Sequence, residues 1–333
     1  MKSYLKFIMK FIIVGSISLL LLFFLNSRYQ KVMEDPYADT HKFDFMDSVY
    51  NNIQIANIGS SHGEYAFYYE RLAKQDGYEC FNLAMASQTY NYDLAILSMY
   101  RDHFADNSLL FIPISYFSFN NEVVNETEQQ SLSSKYYTFL SPKYVPGYDP
   151  YVDLVTHILP ILSAGEDIVK IIPSFSLKVL AAEGTTPSPE EFYEKAQRRY
   201  ERHIQNKEEY FMPERIENLY GILDFCADNN ITPILITTPY TSFYSDMVSE
   251  EFKAQFYDTI AKISEETGTS YYDYSKDERF CENLEYFSDA DHLNTEGSIV
   301  FMDIIKEEIP EYREFLQNNA PIHNGDPNWE PPF

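Results

Sequence analysis

The chain has 333 residues, 51 of them acidic against 25 basic, for a formal net charge of −26. This length is enough to bury a substantial core, as one large domain with an insertion or as two modest ones. The charge argues against nucleic acid, whose phosphates demand clustered Lys and Arg, and it would repel an anionic lipid surface. Cys80, Cys226 and Cys281 are widely spaced, odd in number and form no CxxC pair. Neither a zinc site nor a complete disulfide framework is indicated, and core thiols are the expectation.

The amino terminus carries a strong physical signal. Lys2, Lys6 and Lys10 precede or flank the run from Phe11 to Leu25, which with Phe7-Ile8-Met9 comes close to the about 20 apolar residues of a membrane-spanning helix. Three lysines stand before the run against Arg28 and Lys31 after it, so the positive-inside bias places the short amino end in the cytoplasm and the bulk of the chain outside. Asn26-Ser27-Arg28-Tyr29 offers no small-x-small cleavage site, so an uncleaved signal anchor over residues 1–28 is expected. Residues 29–52 turn polar and acidic and read as a linker.

From residue 53 the pattern is that of an α/β domain. Ile53 to Ile58 is short, apolar and β-branched, a buried strand that stops at Gly59-Ser60-Ser61-His62-Gly63. A helix is expected from Tyr65 to about Gln75. Cys80 to Met85 reads as a second strand ending in Ala86-Ser87-Gln88, Tyr92 to His103 as a helix, and Leu109 to Ile114 as a third strand closed by Ser115. Strands and helices alternating at these intervals imply a parallel sheet. The rhythm breaks over about 120–212, an expected insertion. Asn120 to Pro150 reads as loop. Val152 to Leu162, Asp167 to Ile172 and Leu177 to Ala182 read as short helical pieces. Ser188 opens a charged helix bearing Lys195, Arg198, Arg199, Arg202 and His203, which read as a solvated face or as a contact to an anionic substrate. The rhythm resumes with a helix over Pro213 to Asn229, a fourth strand Thr232 to Thr237, a helix Ser249 to Thr267, a fifth strand Ser270 to Tyr274, and a helix capped by Asn294 or Thr295 that runs through Ile305. The tail, residues 319–333, looks loosely ordered.

Two stretches stand at strand ends with chemistry to offer. Ser60-Ser61 reads either as a helix cap or as a nucleophile at the carboxyl end of a strand, where open α/β sheets place their ligands. Asp289 and His292 are three residues apart, so the carboxylate can reach one imidazole nitrogen while the other faces a serine; alternatively Asp289 caps a loop and His292 packs at the surface. Asp291 would point elsewhere. The remaining histidines, His41, His62, His103, His157, His203 and His323, lack metal-ligand spacing, and no metal or cofactor is expected.

Gly59-Ser60-Ser61, Asn82 to Gln88, and Asp289-Ala290-Asp291-His292-Leu293-Asn294 resemble, in order, the separated motif blocks of the SGNH/GDSL hydrolase superfamily. Together with the anchor they resemble its extracytoplasmic acyl-transfer branch, which includes the family that helps D-alanylate lipoteichoic acid and the polysaccharide O-acetyltransferases. The resemblance covers about 53–318, insertion excepted. It implies a flavodoxin-like, doubly wound, parallel five-stranded sheet. It also implies Ser61 as nucleophile, His292 as base and Asp289 as its orienting partner, with Ser60 as cap or loop-shaping neighbour. Ser87 stands where the family has an oxyanion-hole glycine. The family's Gly-x-Asn-Asp block is absent, Pro113-Ile114-Ser115-Tyr116-Phe117 standing in its place, so Ser115 is a candidate replacement donor. Gln88 and His62 are candidate substrate contacts, His62 with its side chain diverging from that of Ser61. The expectation is a membrane-anchored serine acyltransferase that takes acetyl or D-alanyl from a membrane-bound O-acyltransferase or other donor protein and passes it to a cell-envelope glycopolymer. The alternatives are an esterase of surface glycan or lipid, and a non-catalytic glycan-binding or scaffolding subunit.

Overall fold

The computed structural model describes residues 2–33, 38–46, 50–120, 133–164, 168, 171, 188–205 and 211–323. The helical piece expected at Leu177 to Ala182, most of that at Asp167 to Ile172, and the tail beyond His323 lie outside them. In chain order the main helices are α1 (Lys2–Val32), α2 (Ser61–Ala66), α3 (Tyr90–Met99), α4 (Pro150–Ile158), α5 (Pro189–His203), α6 (Pro213–Asp228), α7 (Glu250–Thr267), α8 (Thr295–Glu308) and α9 (Pro310–Asn318). The strands are β1 (Ile53–Asn57), β2 (Cys80–Asn82), β3 (Phe104–Pro113), β4 (Thr232–Thr237) and β5 (Tyr271–Asp273).

The chain divides into two compact units, one of Met1–His41, Asn125–Pro142 and Gly147–Thr185, the other of Lys42–Val124, Lys143–Pro146 and Thr186–Phe333. The first holds α1, which is long and apolar enough to cross a membrane. The helix continues past Arg28 to Val32, because Tyr29 is buried with Ile161 and Ala164 rather than left in a polar linker. In the same unit Asp149 caps α4 by accepting from Tyr151 N at 2.7 Å, with Pro150 in the first turn.

The second unit holds the sheet, with strand order β2-β1-β3-β4-β5 and every pairing parallel. This is the expected flavodoxin-like order. Its topological switch lies between β1 and β3, where such sheets open a crevice beyond their carboxyl ends. β1 is buried along its whole length. Ile55, Leu109, Phe111, Ile234 and Ile236 share a core with Phe67, Phe301, Ile305 and Tyr312. Burying each large apolar side chain contributes about 1.5–3 kcal/mol, against about 1 kcal/mol for a helix cap. The apolar faces therefore set where a helix lies, and the caps set only where it starts.

Two element limits differ most from the sequence expectation. Instead of running from Tyr65 to Gln75, α2 stops at Ala66, because Phe67 turns extended (φ −108°, ψ 96°) to place its ring on Phe111, centroids 5.1 Å apart. A short π turn, Leu72–Asp76, follows. β3 starts at Phe104, which pairs with Ile53; the polar Asp106 and Asn107 conceal this half of the strand from a hydrophobicity reading. The bounds of the insertion meet, since Asn120 and Phe211 form an antiparallel bridge.

Two helices determine where the carboxyl-terminal turn goes. Asn294 caps α8, accepting from Gly297 N at 2.9 Å. α8 then packs beside α2, with Ser298 Oγ donating to Ala66 O at 2.9 Å. The turn just before α8 is thereby carried to the end of β1.

Candidate active site

β1 ends in a sharply defined turn. Gly59 has φ +111°, a conformation that side-chain-bearing residues rarely adopt. Its N–H donates to Asp93 Oδ1 at 2.8 Å, and its carbonyl accepts from Met85 N at 3.1 Å. Burial pushes Asp93 up to about 7 against the opposing bonds from Gly59 and Gln88. Ser60 occupies the N-cap position of α2, but its side chain makes no capping bond; its carbonyl accepts from Gly63 N and Glu64 N instead. A Cβ on Gly63 would lie 2.5 Å from Ile58 O and 2.9 Å from Ala84 Cβ, so only glycine lets α2 sit this close to the strand ends. Asn57 and Asn82 fasten the helix there, both donating to Gly63 O.

Ser61, the first residue of α2, faces the carboxyl-terminal turn. His292 Nε2 lies 2.7 Å from Ser61 Oγ, and His292 Nδ1 lies 2.9 Å from Asp289. Asp289 Oδ1 also accepts from the backbone N–H of Asp291 (3.2 Å) and His292 (3.0 Å). Ser288 N–H closes the turn on His292 O at 3.0 Å. The same carboxylate thus shapes the turn and orients the imidazole.

The turn also overturns the expectation for Asp291. Curled by Asp289, it directs Asp291 inward, where it is 1% exposed and contacts His62 Nε2 at 3.2 Å. His292 Nδ1 lies 3.5 Å away and Arg199 Nε 3.3 Å. Arg199 also holds Asp289 Oδ2 at 3.1 Å, so one guanidinium bridges both carboxylates. The basic helix α5 is therefore divided: Arg198 pairs at the surface with Glu194, while Arg199 and His203 turn inward. The signal was present in the sequence, because Arg199 and His203 continue the stripe of buried Phe192 and Ala196 at helical spacing.

Electrostatics follow from this packing. Burial pulls His292 down, but the carboxylates of Asp291 and Asp289 outweigh it and hold its pKa above the usual imidazole value. Burial opposes ionisation of Asp289 and Asp291, yet His292 and Arg199, with His62 for Asp291, keep both acids below the ordinary carboxylate range. For His62 burial dominates, lowering its pKa despite Asp291; His203 is lowered to about 3 for the same reason. The packing thus favours the charged form of His292 and the neutral forms of His62 and His203 around the buried Asp291 carboxylate.

Three further candidates are placed by the structure as follows. Ser115 is buried with Oγ 2.5 Å from His62 Nδ1, and its N–H donates to Ser118 Oγ, so its donors are already engaged. His62 does diverge from Ser61, but into the protein: it is 2% exposed and bridges Ser115 and Asp291. Gln88 spends its amide on Leu83 O and Asp93 Oδ1. Ser87 is half-buried, has φ +58°, and lines a pocket with Gly59, Ser60, Phe117 and Arg215. On the other side a cavity of about 310 Å³ is lined by Tyr65, Tyr68, Ser288, Leu293 and Thr295. The Tyr65 ring stands edge-on to His292, centroids 5.2 Å apart. Although no metal set was legible in the sequence, donor atoms of His62, Asp291 and His292 fall within 4.8 Å of one another. All three groups also engage in the hydrogen bonds and ion pairs described above.

A search of the curated proteins finds no match. Among solved structures, a proposed platelet activating factor from Streptococcus pneumonia is 12% identical over 88% of this chain and 97% of its own, with TM-score 0.40. A proposed acylhydrolase from Bacteroides fragilis NCTC 9343 is 10% identical over 85% of this chain and 99% of its own, with TM-score 0.42. Residues 189–307, the stretch that supplies Arg199, Asp289, Asp291 and His292, match the family model described as DltD protein, and over that stretch the chain is DltD-like.

Proposed function

We propose that the protein is a membrane-anchored, outward-facing serine acyltransferase, and that the acyl group it carries is D-alanyl, destined for a hydroxyl of teichoic acid. The observation that carries the reading is the unbroken chain Ser61 Oγ, His292 Nε2, His292 Nδ1, Asp289. In the first step Ser61 Oγ attacks the donor's acyl carbonyl and its proton passes to His292 Nε2. The bond to the donor then breaks, and the leaving group takes that proton from His292. Asp289 fixes the ring and stabilises the imidazolium. As donors to the oxyanion that forms between these steps we assign the backbone N–H groups of Ser61 and Ser87. In the second step the acceptor hydroxyl gives its proton to His292 and attacks the carbonyl of acyl-Ser61; the acyl–Ser61 bond breaks, Ser61 Oγ takes the proton back from His292, and the new ester is released. The DltD match supports D-alanyl over acetyl and implies a membrane partner as donor. The apolar α1 supports the anchor.

Ser61→Ala is expected to abolish covalent labelling by a fluorophosphonate probe and to lower acyl transfer by about 10⁴-fold or more. Labelling that persists in Ser61→Ala removes the mechanism. Release of free acid from a model ester as fast as transfer to the polymer would assign the same constellation to hydrolysis.

A further inference from the structure

We infer that α4 is an interfacial helix that lies in the outer lipid–water boundary beside the membrane anchor. The inference rests on the reading of α1 as a membrane span.

The sequence of α4 places Tyr151, Leu154 and Ile158 on one stripe at helical spacing, with Leu162 continuing it past the helix end. These side chains are 69%, 55%, 49% and 55% exposed. The opposite stripe, Val152 and Thr156, is buried. The helix is braced from its protein side: Asp149 caps it, and Asp149 N–H donates to Tyr137 Oη at 3.0 Å. The exposed stripe is therefore presented by a firmly held element.

Contact with α1 identifies what covers it. Asn26 directly follows the apolar run of α1. Its side chain donates to Ile158 O at 3.3 Å and accepts from Ile161 N at 3.1 Å. Leu22, Leu25 and Tyr29 pack against Ile161 and Ala164. The carboxyl end of α4 is thus pinned at the level where the span leaves hydrocarbon. A helix at that level with an apolar stripe and a tyrosine has the chemistry of an interfacial element, its apolar face sunk about 5–10 Å into the headgroup and acyl boundary. Asp153 does not oppose this, since its carboxylate is held by His157 Nδ1 at 2.8 Å and by Tyr148 Oη. With a net charge of −26 the protein gains nothing from anionic headgroups, so the contact is apolar and works on neutral lipid.

The test uses the full chain in phosphatidylcholine vesicles. Cys281→Ser removes the partly exposed thiol, leaving Cys80 and Cys226 buried. Single cysteines are then introduced as Leu154→Cys, Ile158→Cys, Leu20→Cys in the span and Glu201→Cys on the exposed side of α5, and labelled with an environment-sensitive fluorophore. Labels at 154 and 158 are expected to shift to the blue and to lose emission when the lipids carry bromine at shallow chain positions, while the label at 201 does neither. If the label at 20 is quenched and those at 154 and 158 behave like that at 201, α4 faces water or another protein, and the inference fails while the anchor stands. If the label at 20 is unquenched as well, both fail.

Discussion

At the scale of single residues, the sharpest expectation concerns Asp291. Its carboxylate, 3.5 Å from His292 Nδ1, is the leading influence that raises the base against burial. His292 must be neutral to take the Ser61 proton, so acylation should rise with pH through a midpoint above the ordinary imidazole value of 6.5. Asp291→Asn removes an attraction for the proton, so the rising limb should move to lower pH. The pH dependence of the second-order rate of fluorophosphonate labelling measures this, and a limb that stays in place or moves upward rules the role out. Asp289 and His292 were readable because an acid three residues before a histidine is a local pattern. Asp291 was not, since adjacency in sequence suggests opposite directions and only the Asx turn at Asp289 reverses that. Arg199 lies ninety positions from Asp289, a distance over which sequence shows only a charged helix.

At the scale of elements, the nucleophile's position depends on how closely α2 approaches the strand ends. Gly63→Ala should cost about 1–3 kcal/mol, the range for overpacking a dense site, because the added methyl meets the Ile58 carbonyl and Ala84. Urea unfolding of the second unit would register the loss, and unchanged stability would mean that the turn relaxes freely. Strands were legible where both faces are apolar: β4 appears in full from Thr232 to Thr237. The first half of β3 and the early end of α2 were not. The former is polar and exposed, and the latter is decided by where the Phe67 ring finds its core. α9, which opens on Pro310, was likewise hidden in what reads as the approach to the tail.

At the scale of the whole molecule, the surplus of 26 negative charges opposes compaction. Raising ionic strength from a few millimolar to about 0.15 M shortens the screening length to about 8 Å, so the thermal midpoint should rise; a fall would show that paired charges outweigh the repulsion. The same surplus gives Arg199 a wider meaning. The constellation draws on three distant regions, and α5 belongs to the segment between β3 and β4 that interrupts the repeating α/β pattern. Its guanidinium works as a keystone: displacing α5 would leave two carboxylates, two residues apart, without the guanidinium that bridges them. Their repulsion would loosen the turn that aims His292 at Ser61. Readiness to acylate is then a property of helix docking, and a surface that grips or releases α5 would arm or disarm the serine without touching it.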